Sequence, residues 1–309
     1  MSIAVFSHSD CLRHDTGSGH PESVERLPVI LAALKSSDFS RHLEFLEAPA
    51  ATKVQVLLVH TPAHYERVQH AVSLAGTHHA LDPDTIISEG SLQAALHAVG
   101  AGCEAVDKVL GGTYSSAFCA VRPPGHHAIP SRAMGFCLFN NIAIAAAHAM
   151  STHGLKRVAI VDFDVHHGNG TQDAFEQDKR VLYISTHQRS HYPGTGNENE
   201  QGAGNILNLP LPAGTDGGHY REVFSSRVIP AIEAFEPQLI LVSAGFDAHR
   251  NDPLAGFMLM EEDYQWIGEQ LRNVAEKCCE GKVVSFLEGG YWLPSLAAST
   301  ASYLSAFAA

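Results

Sequence analysis

The chain has 309 residues, 45% of them hydrophobic and 17% charged, with a formal net charge of −13 at pH 7. That length buries a full core near the upper size of one domain, and no apolar run reaches the roughly eighteen residues of a membrane-spanning helix. A negative balance without a basic stripe argues against direct binding to nucleic acid, and six cysteines without C-x-x-C spacing read as thiols of a reducing compartment.

Met1-Ser2-Ile3-Ala4-Val5-Phe6 reads as a first strand, too short in its apolar run for a secretory leader, so a cytoplasmic protein is the expectation. After a polar, Gly-rich segment, Ser23 is placed to cap a helix through about Lys35. A second helix is expected over 62–74, with proline at its start. A third spans 89–110, closed by Gly111-Gly112, and its small residues (Ala98, Gly100, Ala101, Gly102) suit close packing on a sheet. Ala117 to Val121 makes a strand that ends in Arg122-Pro123-Pro124-Gly125-His126-His127. The motif 135–141 (GFCLFNN) leads into a helix over 142–151.

Next comes Lys156-Arg157-Val158-Ala159-Ile160-Val161, an apolar β-branched run expected to be a buried parallel strand. It delivers Asp162-Phe163-Asp164-Val165-His166-His167-Gly168-Asn169-Gly170 to its carboxyl end, where open α/β sheets place their sites. If the backbone stays extended, Asp162, Asp164 and His166 alternate and point the same way. Strands over 181–185 and 206–211, a helix over 220–235 and a strand over 239–243 follow, the last ending in Ala244-Gly245-Phe246-Asp247. A helix over 261–279 precedes a strand over 283–287, which ends in Glu288-Gly289-Gly290-Tyr291, and an Ala/Leu-rich helix closes the chain. This alternation predicts a single α/β domain over 1–309, with a mostly parallel central sheet and helices on both faces.

Polar residues gather at four of these strand ends. Asp164, His166 and Asp247 make a plausible open Asp-His-Asp site for a zinc-type cation, which would polarise an amide carbonyl and lower the pKa of water. Iron(II) suits the same ligands. His126 and His127 can supply the base and the acid that hydrolysis needs, with Asp162 as a partner for an imidazole. Tyr291, after two glycines, can donate to an oxyanion.

Together these motifs resemble the zinc-dependent histone deacetylase family, which includes deacetylase-like amidohydrolases and acetylpolyamine amidohydrolases. The likeness runs from Ser18-Gly19-His20-Pro21-Glu22 to Tyr291, and includes Tyr192-Pro193-Gly194-Thr195-Gly196. It implies an arginase/deacetylase-like fold and deacetylation of acyl-lysine in a peptide or protein, or of a small acylated amine. It matches Asp164, His166 and Asp247 to zinc, Tyr291 to the oxyanion tyrosine, His127 to the general base and acid, and His126 to an electrostatic partner held by Asp162. Gly135, Phe136, Tyr192 and Leu254 match the substrate tunnel, Tyr192 replacing the phenylalanine common there. Main-chain oxygens of Asp162, Asp164, His166 and Thr186, with the Ser185 hydroxyl, match a potassium site, and Phe175 and Val181 part of a second monovalent-ion site. Asn169 stands where one branch of the family carries aspartate, leaving His127 less basic. Leu254 is apolar where polyamine-selective relatives carry an acidic residue, which favours acyl-lysine. No direct nucleic acid or membrane partner is expected, and assembly into homo-oligomers is left open.

Overall fold

The computed structural model describes residues 2–74 and 78–308. Met1, expected in the first strand, and Ala309, at the end of the expected domain, lie outside the described residues. Eight parallel strands form the central sheet: β1 (Ile3–Ser7), β2 (Leu43–Glu47), β5 (Ser116–Cys119), β6 (Val158–Asp162), β7 (Val181–Gln188), β8 (Ile206–Leu211), β9 (Leu239–Ala244) and β10 (Val283–Leu287). Their order is β2-β1-β5-β10-β9-β6-β7-β8. A separate antiparallel pair, β3 (His79–Ala80) and β4 (Ile86–Ile87), sits in the loop before the long helix.

The helices are α1 (Arg26–Ser36), α2 (Lys53–Val56), α3 (Pro62–Leu74), α4 (Ser91–Leu110), α5 (Asn141–Thr152), α6 (Asn169–Phe175), α7 (Gly217–Val223), α8 (Ile229–Phe235), α9 (Glu261–Cys279) and α10 (Leu293–Ser305). One group packs α4 on α5, and a second packs α1 and α9 on α10. Every residue of β6, β9 and β10 is buried, as expected of parallel strands covered on both faces. Gly102 shows why α4 needs small residues. A Cβ there would lie 2.5 Å from Phe286 Cε1 of β10 and 3.3 Å from Ala145 Cβ of α5. Gly102→Ala therefore overpacks this contact and should cost about 1–3 kcal/mol, read as a lower urea midpoint at unchanged m-value; an unshifted midpoint would refute the contact.

Three expectations change. Helix α1 begins at Arg26, with no side-chain cap, rather than at Ser23. Its approach is governed by Glu22, fully buried between Arg26 (Nη1 to Oε1 2.9 Å) and Arg122 (Nη2 to Oε2 2.7 Å). The helix expected over 220–235 starts at Gly217, capped by Asp216, and contains a π-helical turn over Phe224–Val228. Pro230, next in α8, has no N–H for an α-helical bond to Ser226, and the wider turn accommodates the loss. Finally, β6 stops at Asp162, so the alternation of Asp162, Asp164 and His166 does not come from an extended strand.

Adjacent strands β5, β10, β9, β6 and β7 all point their carboxyl ends to one rim, with Asp162 in register with Ser185 and Ser243. That rim carries the expected site residues.

Candidate active site

Beyond β6 the chain turns on its own side chains. Asp162 Oδ1 accepts the Asp164 N–H (3.2 Å), and Asp164 Oδ1 accepts the His166 N–H (2.9 Å). These turns, rather than strand pleating, bring Asp164 and His166 to the end of β9, where Asp247 waits. His166 Nδ1 lies 3.1 Å from Asp164 Oδ1 and 3.0 Å from Asp247 Oδ2, and one ligand atom from each of the three residues falls within 4.8 Å of the others. Each carboxylate is aimed by backbone: Gly289 N–H donates to Asp164 Oδ2 (2.8 Å) and Val165 N–H to Asp247 Oδ1 (3.0 Å). Neither glycine flanking the trio tolerates a side chain, since a Cβ at Gly245 or Gly289 would lie 2.1 or 2.0 Å from these carboxylates.

The electrostatics fit a cation. Burial opposes a charge on His166, but Asp164 and Asp247 outweigh it and raise the imidazole to about 10. Asp247 is pushed up by burial and by Asp164, so two carboxylates and an imidazole share a buried point that is short of positive charge. Two hard oxygens and one nitrogen, buried and held from behind, suit a divalent metal ion.

The two tandem histidines differ. His126 Nδ1 lies 3.0 Å from Asp162 Oδ2, which also accepts from the Tyr183 hydroxyl (3.0 Å). Burial works against its charge, yet Asp162, Asp164 and Glu288 raise it to about 10. His127 Nδ1 lies 2.9 Å from Asn169 Oδ1, while Asn169 Nδ2 donates to His127 O (3.3 Å). That orientation makes Nδ1–H the donor and leaves Nε2 as the lone pair. Burial first, then charge on His126 and His166, pushes His127 well below the usual histidine range.

These groups meet at a cavity of about 230 Å³, lined by Asp84, His127, Gly135, Phe136, His166, His191, Tyr192, Leu254 and Tyr291. All four expected tunnel residues are there. Gly135 is required: a Cβ would meet the His127 ring at 2.5 Å. Phe136 holds a left-handed backbone (φ 67°), strain secured by its N–H to Thr85 Oγ1 (3.1 Å), and its ring packs edge-on against Tyr291 at 5.8 Å. Tyr192 packs edge-on against His127 at 5.1 Å. Burial and Asp247 keep the Tyr291 hydroxyl protonated, and Arg26 holds the same loop from behind, donating to Gly290 O (2.7 Å) with its guanidinium 5.0 Å from the Tyr291 ring.

Four contributors were not assigned from sequence. Asp84 enters from beside the small antiparallel pair, with its carboxyl raised to about 6 by burial and by Asp82. His191 stacks on His166 (5.0 Å) and donates Nε2–H to Leu254 O (2.8 Å). Asp252 accepts the N–H of Tyr291 (2.7 Å) and of Leu254 (3.0 Å), tying both walls together. Glu288 accepts the N–H of Gly125 (2.7 Å) and His126 (3.2 Å), which sets the histidine turn. Only the position of Glu288 beside the Gly-Gly-Tyr turn offered a signal.

Ser185 and Thr186, two of the residues matched to potassium, lie on β7. Ser185 Oγ donates to His187 Nδ1 (2.9 Å), because His187 Nε2–H is given to Gly196 O. Thr186 Oγ1 reaches Asp162 O at 3.4 Å. The residues matched to a second monovalent-ion site turn their main-chain oxygens toward a side-chain amide. Asn205 Nδ2 donates to the main-chain oxygens of Phe175 and Val181, both at 2.8 Å, so a buried amide stands where an ion was expected.

The family profile described as the histone deacetylase domain matches residues 20–307. The chain is 41% identical to histone deacetylase 14, chloroplastic, of Arabidopsis thaliana, over 96% of this chain and 74% of that protein. It is equally 41% identical to the histone deacetylase-like amidohydrolase of Pseudomonas aeruginosa, over 89% of this chain and 73% of that one. The crystal structure of the HDA15 HD domain superposes with a TM-score of 0.93 at 38% identity, covering 99% of this chain and 88% of that chain.

Proposed function

Because the chain belongs to the histone deacetylase family and is therefore a hydrolytic deacetylase, we propose that its substrate is the acyl-lysine side chain of a peptide or protein, cleaved to a carboxylate and a free amine. The observation that carries this is the cavity: Phe136, Tyr192 and Leu254 line it together with His127, Tyr291 and His166, the last a member of the Asp164–His166–Asp247 trio. Its volume of about 230 Å³ suits an unbranched chain ending in a small acyl group.

Asp164, His166 and Asp247 would hold zinc, with iron(II) suited to the same donors, and when bound the ion supplies Lewis acidity at the cavity floor. Main-chain oxygens of Asp162, Asp164, His166 and Thr186, with Ser185 Oγ, would hold potassium. The protein's own groups carry the rest. Neutral His127 presents Nε2 as the base that takes a proton from the attacking water, then returns it to the departing amine nitrogen. Tyr291 donates its O–H to the carbonyl oxygen as that atom gains charge. His126, charged and held by Asp162, adds fixed positive potential beside the reaction. Phe136 and Tyr192 exclude water and align the alkyl chain.

The low pKa of His127 makes a testable consequence. An ionised aspartate in place of Asn169 would face Nδ1–H, favour the imidazolium and raise the pKa. Asn169→Asp should therefore move the acid limb of kcat/KM to higher pH, by about one pH unit or more. A superimposable profile would contradict the assigned tautomer.

Asp84 at the cavity favours a second reading, a small acylated diamine whose far ammonium meets that carboxylate. A panel of acetyl-lysine peptides and acetylated diamines, assayed by amine release, separates the two. Higher kcat/KM on the peptides supports the acyl-lysine reading, and higher values on the diamines overturn it.

A further inference from the structure

Three main-chain oxygens converge near the far end of α6. Phe175 closes that helix, Asp178 lies in the turn after it, and Val181 opens β7. All three accept from one atom, Asn205 Nδ2, at 2.8, 3.1 and 2.8 Å. The amide is unambiguous in orientation, because Asn205 Oδ1 accepts the Ala203 N–H (3.1 Å), leaving the NH₂ end toward the three oxygens. Its backbone is fixed as well, since Asn205 O accepts the Tyr183 N–H (2.9 Å), and the residue is 4% exposed.

An NH₂ group has two protons for three acceptors. Two of those acceptors already have a turn partner: Phe175 O takes the Asp178 N–H (2.9 Å) and Asp178 O the Val181 N–H (3.0 Å). A cluster of carbonyl oxygens aimed at one buried point is the kind of cage a monovalent cation would fill, and the amide nitrogen sits at its centre. The carboxylate of Asp178 is engaged by Arg180, through Nε to Oδ1 (2.9 Å) and Nη2 to Oδ2 (2.6 Å).

We infer that Asn205 replaces the outer monovalent cation in this chain. A neutral, covalently tethered donor ties the end of α6 to the start of β7. The clip is thus present at any salt concentration, whereas an ion would have to be captured and stripped of water. It matters for the site because α6 begins at Asn169, the residue that holds His127, and β7 carries Ser185 and Thr186.

Crystals of the full chain and of Asn205→Ser, grown with thallium(I), test this through anomalous scattering. The native protein should show no peak within coordination distance of the Phe175, Asp178 and Val181 oxygens. The serine variant should show one, and its Tm should rise with potassium chloride over tetramethylammonium chloride by more than the native Tm does. A native peak at those oxygens, with the amide swung aside, overturns the inference, as does a folded serine variant without a peak there. Should the variant not fold, the native map alone decides.

Discussion

Alanine at His127 is expected to lower the turnover of an acetyl-lysine peptide by about 10²- to 10⁴-fold, the range for losing a positioned general acid–base, while the metal content per chain stays unchanged. His127 makes its one side-chain hydrogen bond to Asn169 and takes no part in the cluster of metal-competent atoms, so its removal leaves Asp164, His166 and Asp247 in place. The loss should fall mainly on kcat, because the imidazole acts on the reacting groups more than on the bound acyl chain. Turnover equal to that of the native protein would remove His127 from the chemistry.

Asp247→Ala should show the converse: metal affinity falls by more than the roughly 100-fold seen when only an outer partner of a ligand is lost, and activity falls with it. Asp247 Oδ2 is 3.0 Å from His166 Nδ1, and Oδ1 accepts the Val165 N–H (3.0 Å). Deleting the carboxylate therefore takes away one donor and frees the turn that carries the other two. The two variants form a pair, since one retains metal without turnover and the other loses both. Native metal content in Asp247→Ala, measured by elemental analysis after dialysis, would show that the cation is held elsewhere.

Much of this was legible in the chain because the fold places chemistry at strand ends. Val158 to Val161 is a continuous apolar run, so β6 and its polar continuation stood out, and the same held for β9 and β10. The edge strand β2 did not stand out, because Leu43–Glu47 mixes half-buried and exposed positions and has only one neighbour in the sheet. The identity of the metal-competent residues could be read, but not the cause of their meeting. Asp164 and His166 converge through side-chain turns after β6 has ended.

Other parts of the site depend on satisfying backbone groups far away in sequence, which no local pattern reports. Asp252 holds Tyr291 from 39 positions away, and Glu288 holds Gly125 from 163. Asp84 lines the cavity from the loop between β3 and β4, far in sequence from the other groups there. Asn205 is the clearest case. An asparagine before a strand reads as a turn residue, and only the three oxygens gathered around its amide reveal what it does.

The most direct test is to strip the purified protein with a chelator, confirm by elemental analysis that it is metal-free, and titrate zinc back while following acetyl-lysine hydrolysis. Activity should vanish on stripping and return linearly up to one equivalent per chain, with no return in Asp247→Ala at the same zinc concentration. Undiminished hydrolysis by the metal-free chain would contradict the proposed role of Asp164, His166 and Asp247.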